Sequence, residues 1–121
     1  MRKLTDHVVS PVNDKLEIFV CDEPGAGGAH HDYRITLKEE DTMAMIRVIF
    51  QNGPIAEAGV NGVTHEALLA ILIDRLRSFQ AGPYPCAENM GALACLQQAL
   101  DWLKQRTRAR MERDVEGTMK P

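Results

Sequence analysis

The chain has 121 residues, of which 45% are hydrophobic and 26% charged, and its formal net charge is −3. This length predicts one domain, and the composition is that of a folded protein rather than a disordered one. The net negative charge argues against a general binder of DNA or of acidic membranes, and no apolar run approaches the roughly 20 residues of a membrane span. Three cysteines without paired spacing fit a reduced, cytosolic setting, and no signal peptide is expected.

The first half of the chain has the pattern of β-strands. Strands are predicted over residues 16–21, 32–37 and 45–50, because each run is rich in β-branched or aromatic residues and is bounded by turn formers. The connections are short and carry no helical pattern, so an antiparallel sheet is expected rather than a parallel one.

The second half has the pattern of two helices. The first is predicted over about residues 65–80, with Thr64 as its N-cap and Gly82 and Pro83 after its end. The second is predicted over about residues 86–112, where one set of residues recurs at alternating steps of four and three: Asn89, Leu93, Leu96, Leu100, Leu103, Thr107 and Arg110. The short link between the helices predicts an antiparallel hairpin.

These elements predict an α+β fold. We expect a small N-terminal antiparallel β-sheet (residues 1–61) packed on a C-terminal antiparallel two-helix hairpin with a tail (residues 62–121), together forming a single domain over residues 1–121. At 1.5 Å per residue the second helix is about 40 Å long and the first about 24 Å. The overhang must pack on the β half, on another subunit or on nothing. Because an unsupported helix end frays, we interpret the overhang as an indication of an oligomer.

A cluster of cations lies at the end of the second helix. Residues 101–113 carry a local charge of +3 in a chain of −3, and Arg106 and Arg110 share one helix face, with Arg113 three residues further on. Two interpretations are open. Arginine suits phosphate oxygens, which indicates an anion site, whereas cations at a helix C-terminus also favour the helix dipole.

The predicted hairpin turn combines two aromatic residues, Phe79 and Tyr84, with the start of the second helix near Asn89. An exposed aromatic ring can stack on a base, although these rings could equally cap the core and shield the turn. The turn and the arginines are about 25 Å apart along one helix, so one small ligand cannot contact both in one chain. An antiparallel dimer would join them in a composite pocket and would form that pocket twice.

No catalytic constellation is found in the sequence. The glycine-rich segment 25–28 predicts a turn, and Cys21, His30 and His31 match no zinc spacing. The remaining candidates lack a partner base or nucleophile: Asp22, Glu23, Ser10 and Ser78. We therefore expect no catalytic residue, no metal site and no cofactor.

A series of short motifs in the order found here resembles the phage Thoeris anti-defence proteins, whose helical half is similar to the hairpin domain of a phage anti-CBASS sponge. The motifs are FQNGPI (50–55), GVNGVT (59–64), EALL (66–69), DRL (74–76), FQAGP (79–83), EN (88–89), RTRAR (106–110) and VEGT (115–118), with CDEPGAG (21–27) before them. Their order over nearly 70 residues makes the resemblance fairly specific, although each motif alone is weak.

The resemblance implies a non-enzymatic sponge that acts in the host cytoplasm, where it binds the immune signal glycocyclic ADP-ribose without cleaving it. It implies homodimers or homohexamers, and some relatives also bind cyclic trinucleotides or dinucleotides at separate sites. The aromatic residue and the asparagine that contact the signal match Phe79 and Asn89. A phosphate-contacting arginine matches Arg106, and the second matches either Arg110 or Arg113. Around Arg113 the chain departs from the more basic, glycine-containing version of the family.

Two other functions stay open at this stage. A phosphodiesterase that degrades the signal would need a metal or general-base cluster. A plain protein-interaction hairpin would work without a nucleotide, and changes to its arginines would leave nucleotide binding unaffected.

Overall fold

The computed structural model describes residues 1–12, 14–38 and 43–121. It confirms the α+β fold and the antiparallel sheet. The strands are β1 (Arg2–Leu4), β2 (Leu16–Val20), β3 (Asp32–Lys38) and β4 (Met43–Ile49), and they lie in the sheet in chain order. Strand β1 was not predicted, because three residues that include two cations carry no alternating pattern.

One face of the sheet is apolar, and the strand register explains why. Ile18 pairs with Ile35, which pairs with Ile46. Because side chains alternate across a strand, the whole row lies on one face. Val20 lies on the same face, paired with Tyr33, and is 2% exposed. Tyr33, Ile35 and Leu37 of β3 therefore share this face.

The other face of the sheet carries ion pairs between strands. Lys3 Nζ lies 2.8 Å from Glu17 Oε2, and Lys38 Nζ contacts the other oxygen of the same carboxylate. Hydrogen bonds from these two lysines lower the pKa of Glu17. Arg47 Nη2 donates to Asp32 at 3.1 Å in the same way. Opposite charges on neighbouring strands fix the register on this face, as the apolar rows do on the other.

The loop after β4 is held by amide side chains. It contains the short helix α1 (Ile55–Ala58), which the sequence did not predict because one turn has no periodicity. The side chain of Asn61 accepts from the N–H of Asn52 at 2.8 Å and donates to its carbonyl at 2.7 Å, as a paired strand would. Gln51 accepts from the N–H of Asn61 at 3.0 Å and donates to the carbonyl of Gly59 at 2.7 Å. The amides of the FQNGPI and GVNGVT motifs are therefore structural.

Gly62 lies where this loop passes closest to the end of β4. A Cβ atom at Gly62 would lie 2.4 Å from the carbonyl carbon of Phe50 and 2.7 Å from the nitrogen of Gln51, so the backbone would have to move. Gly62→Ala is expected to lower the free energy of unfolding by about 1–3 kcal/mol, measured by urea denaturation. Gly91→Ala is the matched control, because a Cβ there meets nothing within 4 Å and should not destabilise the chain.

The helical hairpin consists of α2 (His65–Ala81) and α3 (Ala87–Glu112). Thr64 caps α2 as predicted, since its hydroxyl accepts from the N–H of Ala67 at 3.2 Å. The predicted seam of α3 is confirmed, because each of its seven residues is buried or half-buried. The helices have 17 and 26 residues, or about 26 and 39 Å, so α3 does extend beyond α2.

The chain divides into two compact units, Met1–Gly62 and Val63–Pro121, which correspond to the sheet and to the hairpin with its tail. The prediction of a single domain and that of an oligomer stay predictions. Over the described ranges, none of the helices is both long enough and apolar enough to cross a membrane.

Candidate functional site at the two ends of the helical hairpin

The turn between α2 and α3 presents two exposed aromatic side chains. Phe79 is 44% exposed although it belongs to the last turn of α2, and Tyr84 is 81% exposed. They line a shallow groove of about 640 Å³ together with the polar residues Asp74, Arg75 and Ser78. Exposed aromatic rings beside a groove are the arrangement that accepts a flat, partly apolar group such as a base.

Arg75 is a part of this groove that the sequence analysis missed. Its guanidinium carbon lies 5.0 Å from the centre of the Phe79 ring, which is the geometry of a cation–π contact. The spacing of four residues on one helix is the signal that could have indicated it. The contact orients the Phe79 ring and places a positive charge beside the groove.

The turn is rigid because Gln80 bridges it. The Gln80 side chain donates to the carbonyl of Cys86 at 3.1 Å and accepts from the N–H of Cys86 at 3.0 Å. Cys86 in turn caps α3, since its sulfur accepts from the N–H of Asn89 at 3.5 Å. Gln80 is therefore a structural bridge, and the half-buried Asn89 is held in the first turn of α3.

At the far end of α3 the three arginines differ from one another. Arg106 and Arg113 are exposed, and within the described part of the chain no hydrogen bond or ion pair engages either guanidinium. Arg110 is only 8% exposed, and it donates to four groups of the C-terminal tail. These are the Glu116 carboxylate at 3.0 Å and the carbonyls of Val115, Thr118 and Lys120 at 3.0, 3.1 and 2.9 Å.

The tail folds back over Arg110 because its backbone can turn twice. Asp114 and Gly117 have φ angles of 58° and 80°, which a glycine adopts without cost and an aspartate tolerates. Four of the five N–H groups of Arg110 are used in holding this tail. Arg110 can therefore offer a ligand at most one free donor in this arrangement, whereas Arg106 and Arg113 can offer all of theirs.

The two ends of the hairpin stay apart in one chain. Asn89 and Arg106 are separated by 17 residues of continuous helix, or about 25 Å. The structure thus brings Phe79, Tyr84 and Asn89 together at one end and the three arginines together at the other, and a single chain does not join the two groups.

Two of the other candidates from the sequence, Asp22 and His31, hold a loop of the sheet unit. The side chain of Asp22 accepts from the N–H of His31 at 2.9 Å, and the ring of His31 contacts the carbonyl of Ala26 at 3.1 Å. Burial acts to raise the pKa of Asp22, but backbone hydrogen bonds from His31 and Asp32 outweigh it and the pKa is lowered. Across residues 1–12, 14–38 and 43–121, no group of three histidine, cysteine, aspartate or glutamate side chains could hold a metal ion.

A larger groove, of about 800 Å³, lies on the sheet unit. Its lining includes Lys3 and Lys38, which both contact Glu17, and His7, whose Nε2 lies 3.1 Å from a carboxylate oxygen of Asp14. Lys3 and Lys38 are already compensated by the Glu17 carboxylate, so these two lysines bind an anion more weakly than the free arginines at the far end of α3.

The chain is an α+β protein in which a helical hairpin follows an antiparallel sheet. The hairpin has exposed aromatic rings at its turn and exposed arginines at its far end. The hairpin domain of the Acb2/Tad1 family matches residues 43–108. The chain is also 43% identical, over 94 residues, to the protein named Thoeris anti-defense 1 of Bacillus phage SBSphiJ7. That alignment covers 78% of this chain, and the chain spans 64% of the length of that relative. The chain belongs to the Acb2/Tad1 hairpin-domain family.

Proposed function

We propose that this protein is a phage anti-defence sponge that binds glycocyclic ADP-ribose and withholds it from the host's Thoeris effector without cleaving it. The observation that carries the proposal is the 43% identity, over 78% of the chain, to a protein named for anti-Thoeris defence. The match of residues 43–108 to the hairpin domain supports it.

The proposed binding site is a composite of two copies. The turn of one hairpin, with Phe79, Tyr84 and Asn89, lies beside the arginines of the other, and a two-fold axis forms the pocket twice. The exposure of Phe79 and Arg106 at opposite ends of one hairpin supports this arrangement, since both side chains are open to a second copy.

Each residue has a distinct role in this proposal. Phe79 stacks on the adenine base, and Arg75 contacts the Phe79 ring. Asn89 forms a hydrogen bond to the base edge or to a ribose. Arg106 and Arg113 donate to the phosphates, because their guanidinium groups are exposed. Arg110 positions the tail that follows Arg113, so the arginine left open by the sequence is assigned to Arg113 rather than Arg110.

A sponge requires tight binding and nothing more. A nanomolar dissociation constant corresponds to a free energy of binding of about −12 kcal/mol. This free energy can come from three sources together: charge-assisted hydrogen bonds to two phosphates, stacking of one base, and exclusion of water between two subunits. The proposal includes a homodimer or homohexamer acting in the host cytoplasm, and a separate site for cyclic trinucleotides or dinucleotides.

The test is a calorimetric titration of the purified protein with glycocyclic ADP-ribose, followed by heat denaturation and chromatography of the released nucleotide. Binding at nanomolar concentration with release of intact signal is expected. Release of an altered nucleotide would identify a phosphodiesterase instead. If the protein binds neither this signal nor any of a panel of cyclic dinucleotides and trinucleotides, the protein-interaction hairpin is the remaining hypothesis.

A further inference from the structure

The side chain of Asn89 is not held in place by a hydrogen bond of its own. It is half-buried on the seam of α3, and across residues 1–12, 14–38 and 43–121 no partner engages its side-chain amide. An amide that is partly removed from water without a partner is available to a ligand. The direction of this side chain is therefore set by the backbone that carries it, which is the first turn of α3.

The first turn of α3 depends on a weak cap. The N–H groups of a first helical turn have no partner within the helix, so this turn frays unless it is capped. Cys86 supplies the cap, since its sulfur accepts from the N–H of Asn89 at 3.5 Å and its carbonyl accepts from the N–H of Met90 at 3.2 Å. A thiol sulfur is a weaker acceptor than the oxygens of the usual capping residues, so this cap needs support from elsewhere.

Gln80 gives that support. Its side-chain amide donates to the carbonyl of Cys86 at 3.1 Å and accepts from the N–H of the same residue at 3.0 Å. Because both backbone groups of Cys86 are engaged by one side chain, the backbone of the capping residue is fixed in position and in orientation. Gln80 lies in the last turn of α2, next to Phe79. One side chain thus ties the helix end that carries Phe79 to the helix start that carries Asn89.

The loop between the helices makes two hydrogen bonds sufficient. It contains Pro83 and Pro85, whose rings fix the φ angle, and Tyr84 between them is restricted because it precedes a proline. A loop with few conformations loses little further entropy when two hydrogen bonds at its base select one of them. The turn is therefore ordered when the chain folds, and a ligand does not have to order it.

We infer that Gln80 is a positioning residue of the ligand site, which holds Asn89 through Cys86 at a fixed place relative to the Phe79 ring. The inference rests on the proposed function, since it concerns the residues that receive the nucleotide there. Gln80 itself does not contact the ligand, because both ends of its amide are engaged by Cys86.

Calorimetric titration with glycocyclic ADP-ribose tests the effect on binding. Gln80→Ala is expected to raise the dissociation constant roughly tenfold, as for a site that is correctly formed only about a tenth of the time. Cys86→Ala should weaken binding in the same direction, and Cys86→Ser, which keeps an acceptor at the cap, should restore it. Gln98→Ala is the matched control, because it removes an exposed amide from α3 away from the turn.

A double-mutant cycle separates positioning from a general structural role. If Gln80 acts through Asn89, then Gln80→Ala has no further effect in a chain that already carries Asn89→Ala, and the double variant binds as the Asn89→Ala variant does. If Gln80 only stabilises the fold, the two effects multiply. Multiplication would overturn the inference.

Hydrogen exchange without nucleotide tests the same chain of contacts. In Gln80→Ala the amides of Asn89 and Met90 should exchange roughly tenfold faster, while those of residues 96–104 keep their rate. An equal increase along the whole of α3 would show that Gln80 holds the hairpin as a whole, and it would contradict a positioning role.

The two proposals fail in different ways. If the original chain does not bind glycocyclic ADP-ribose, the proposed function fails and the positioning role falls with it. If the original chain binds and Gln80→Ala binds equally tightly, the proposed function stands and the positioning role alone is wrong.

Discussion

Phe79→Ala is expected to weaken the binding of glycocyclic ADP-ribose by about 1–3 kcal/mol, the value of one base stacked on an aromatic ring, which is roughly 5- to 150-fold in the dissociation constant. The ring is exposed at the turn, so its loss should leave the thermal midpoint of unfolding nearly unchanged. Calorimetric titration and a melting curve of the same sample separate the two effects.

Two further substitutions at Phe79 sharpen this prediction. Phe79→Tyr keeps an aromatic face and should bind nearly as well as the original chain. Phe79→Leu keeps an apolar side chain of similar bulk without the aromatic face, and should resemble Phe79→Ala. If leucine binds as tightly as phenylalanine, the contact is hydrophobic packing rather than stacking, and the role assigned to the ring is wrong.

The second large effect is a contrast between Arg106 and Arg110. Arg106→Ala should weaken ligand binding by about 1.5–3 kcal/mol, the value of a hydrogen bond to a charged group, without changing stability. Arg110→Ala should instead lower the free energy of unfolding by at least a similar amount, because it removes the four hydrogen bonds that its guanidinium donates to the tail.

Hydrogen exchange distinguishes the two roles directly. Backbone amides of residues 115–120 should exchange faster in Arg110→Ala and at the normal rate in Arg106→Ala. Arg108→Ala, an exposed arginine on the same helix, is the control for the loss of one positive charge. If Arg110→Ala leaves both the tail and the stability unchanged while it abolishes binding, Arg110 is the direct phosphate contact and the assignment to Arg113 fails.

The hairpin was predictable because its pattern is long. Seven seam residues over six turns of α3 specify a helix and its buried side, and the Thr64 cap and the Gly82–Pro83 break set the bounds of α2. Strand β1 and helix α1 are too short for any period to appear, and β1 is defined by its pairing with β2 rather than by its own residues.

The candidate site was predictable only in part. Phe79, Asn89 and the arginines were found from their spacing and from the resemblance, but the sequence did not decide between Arg110 and Arg113 as the second phosphate contact. Only the burial and hydrogen bonds of Arg110 show that the tail returns to cover it. Gln80 was missed because its role depends on contacts across the turn. Arg75 was missed although its spacing of four residues from Phe79 on one helix could have indicated it.

By itself, the sequence determined the class of fold, the order of its main elements and the kind of chemistry at each end of the hairpin. It could do so because periodicity and turn residues specify helices, strands and turns through local sterics and burial. The tertiary structure decided which polar groups are already used: the amides of the Gln51 loop, the bridge of Gln80 and the guanidinium of Arg110. Hydrogen bonds between distant residues depend on how the chain folds back, and no local pattern encodes that return. The exposed side chains of Phe79 and Arg106 are the ones on which ligand binding is proposed to depend.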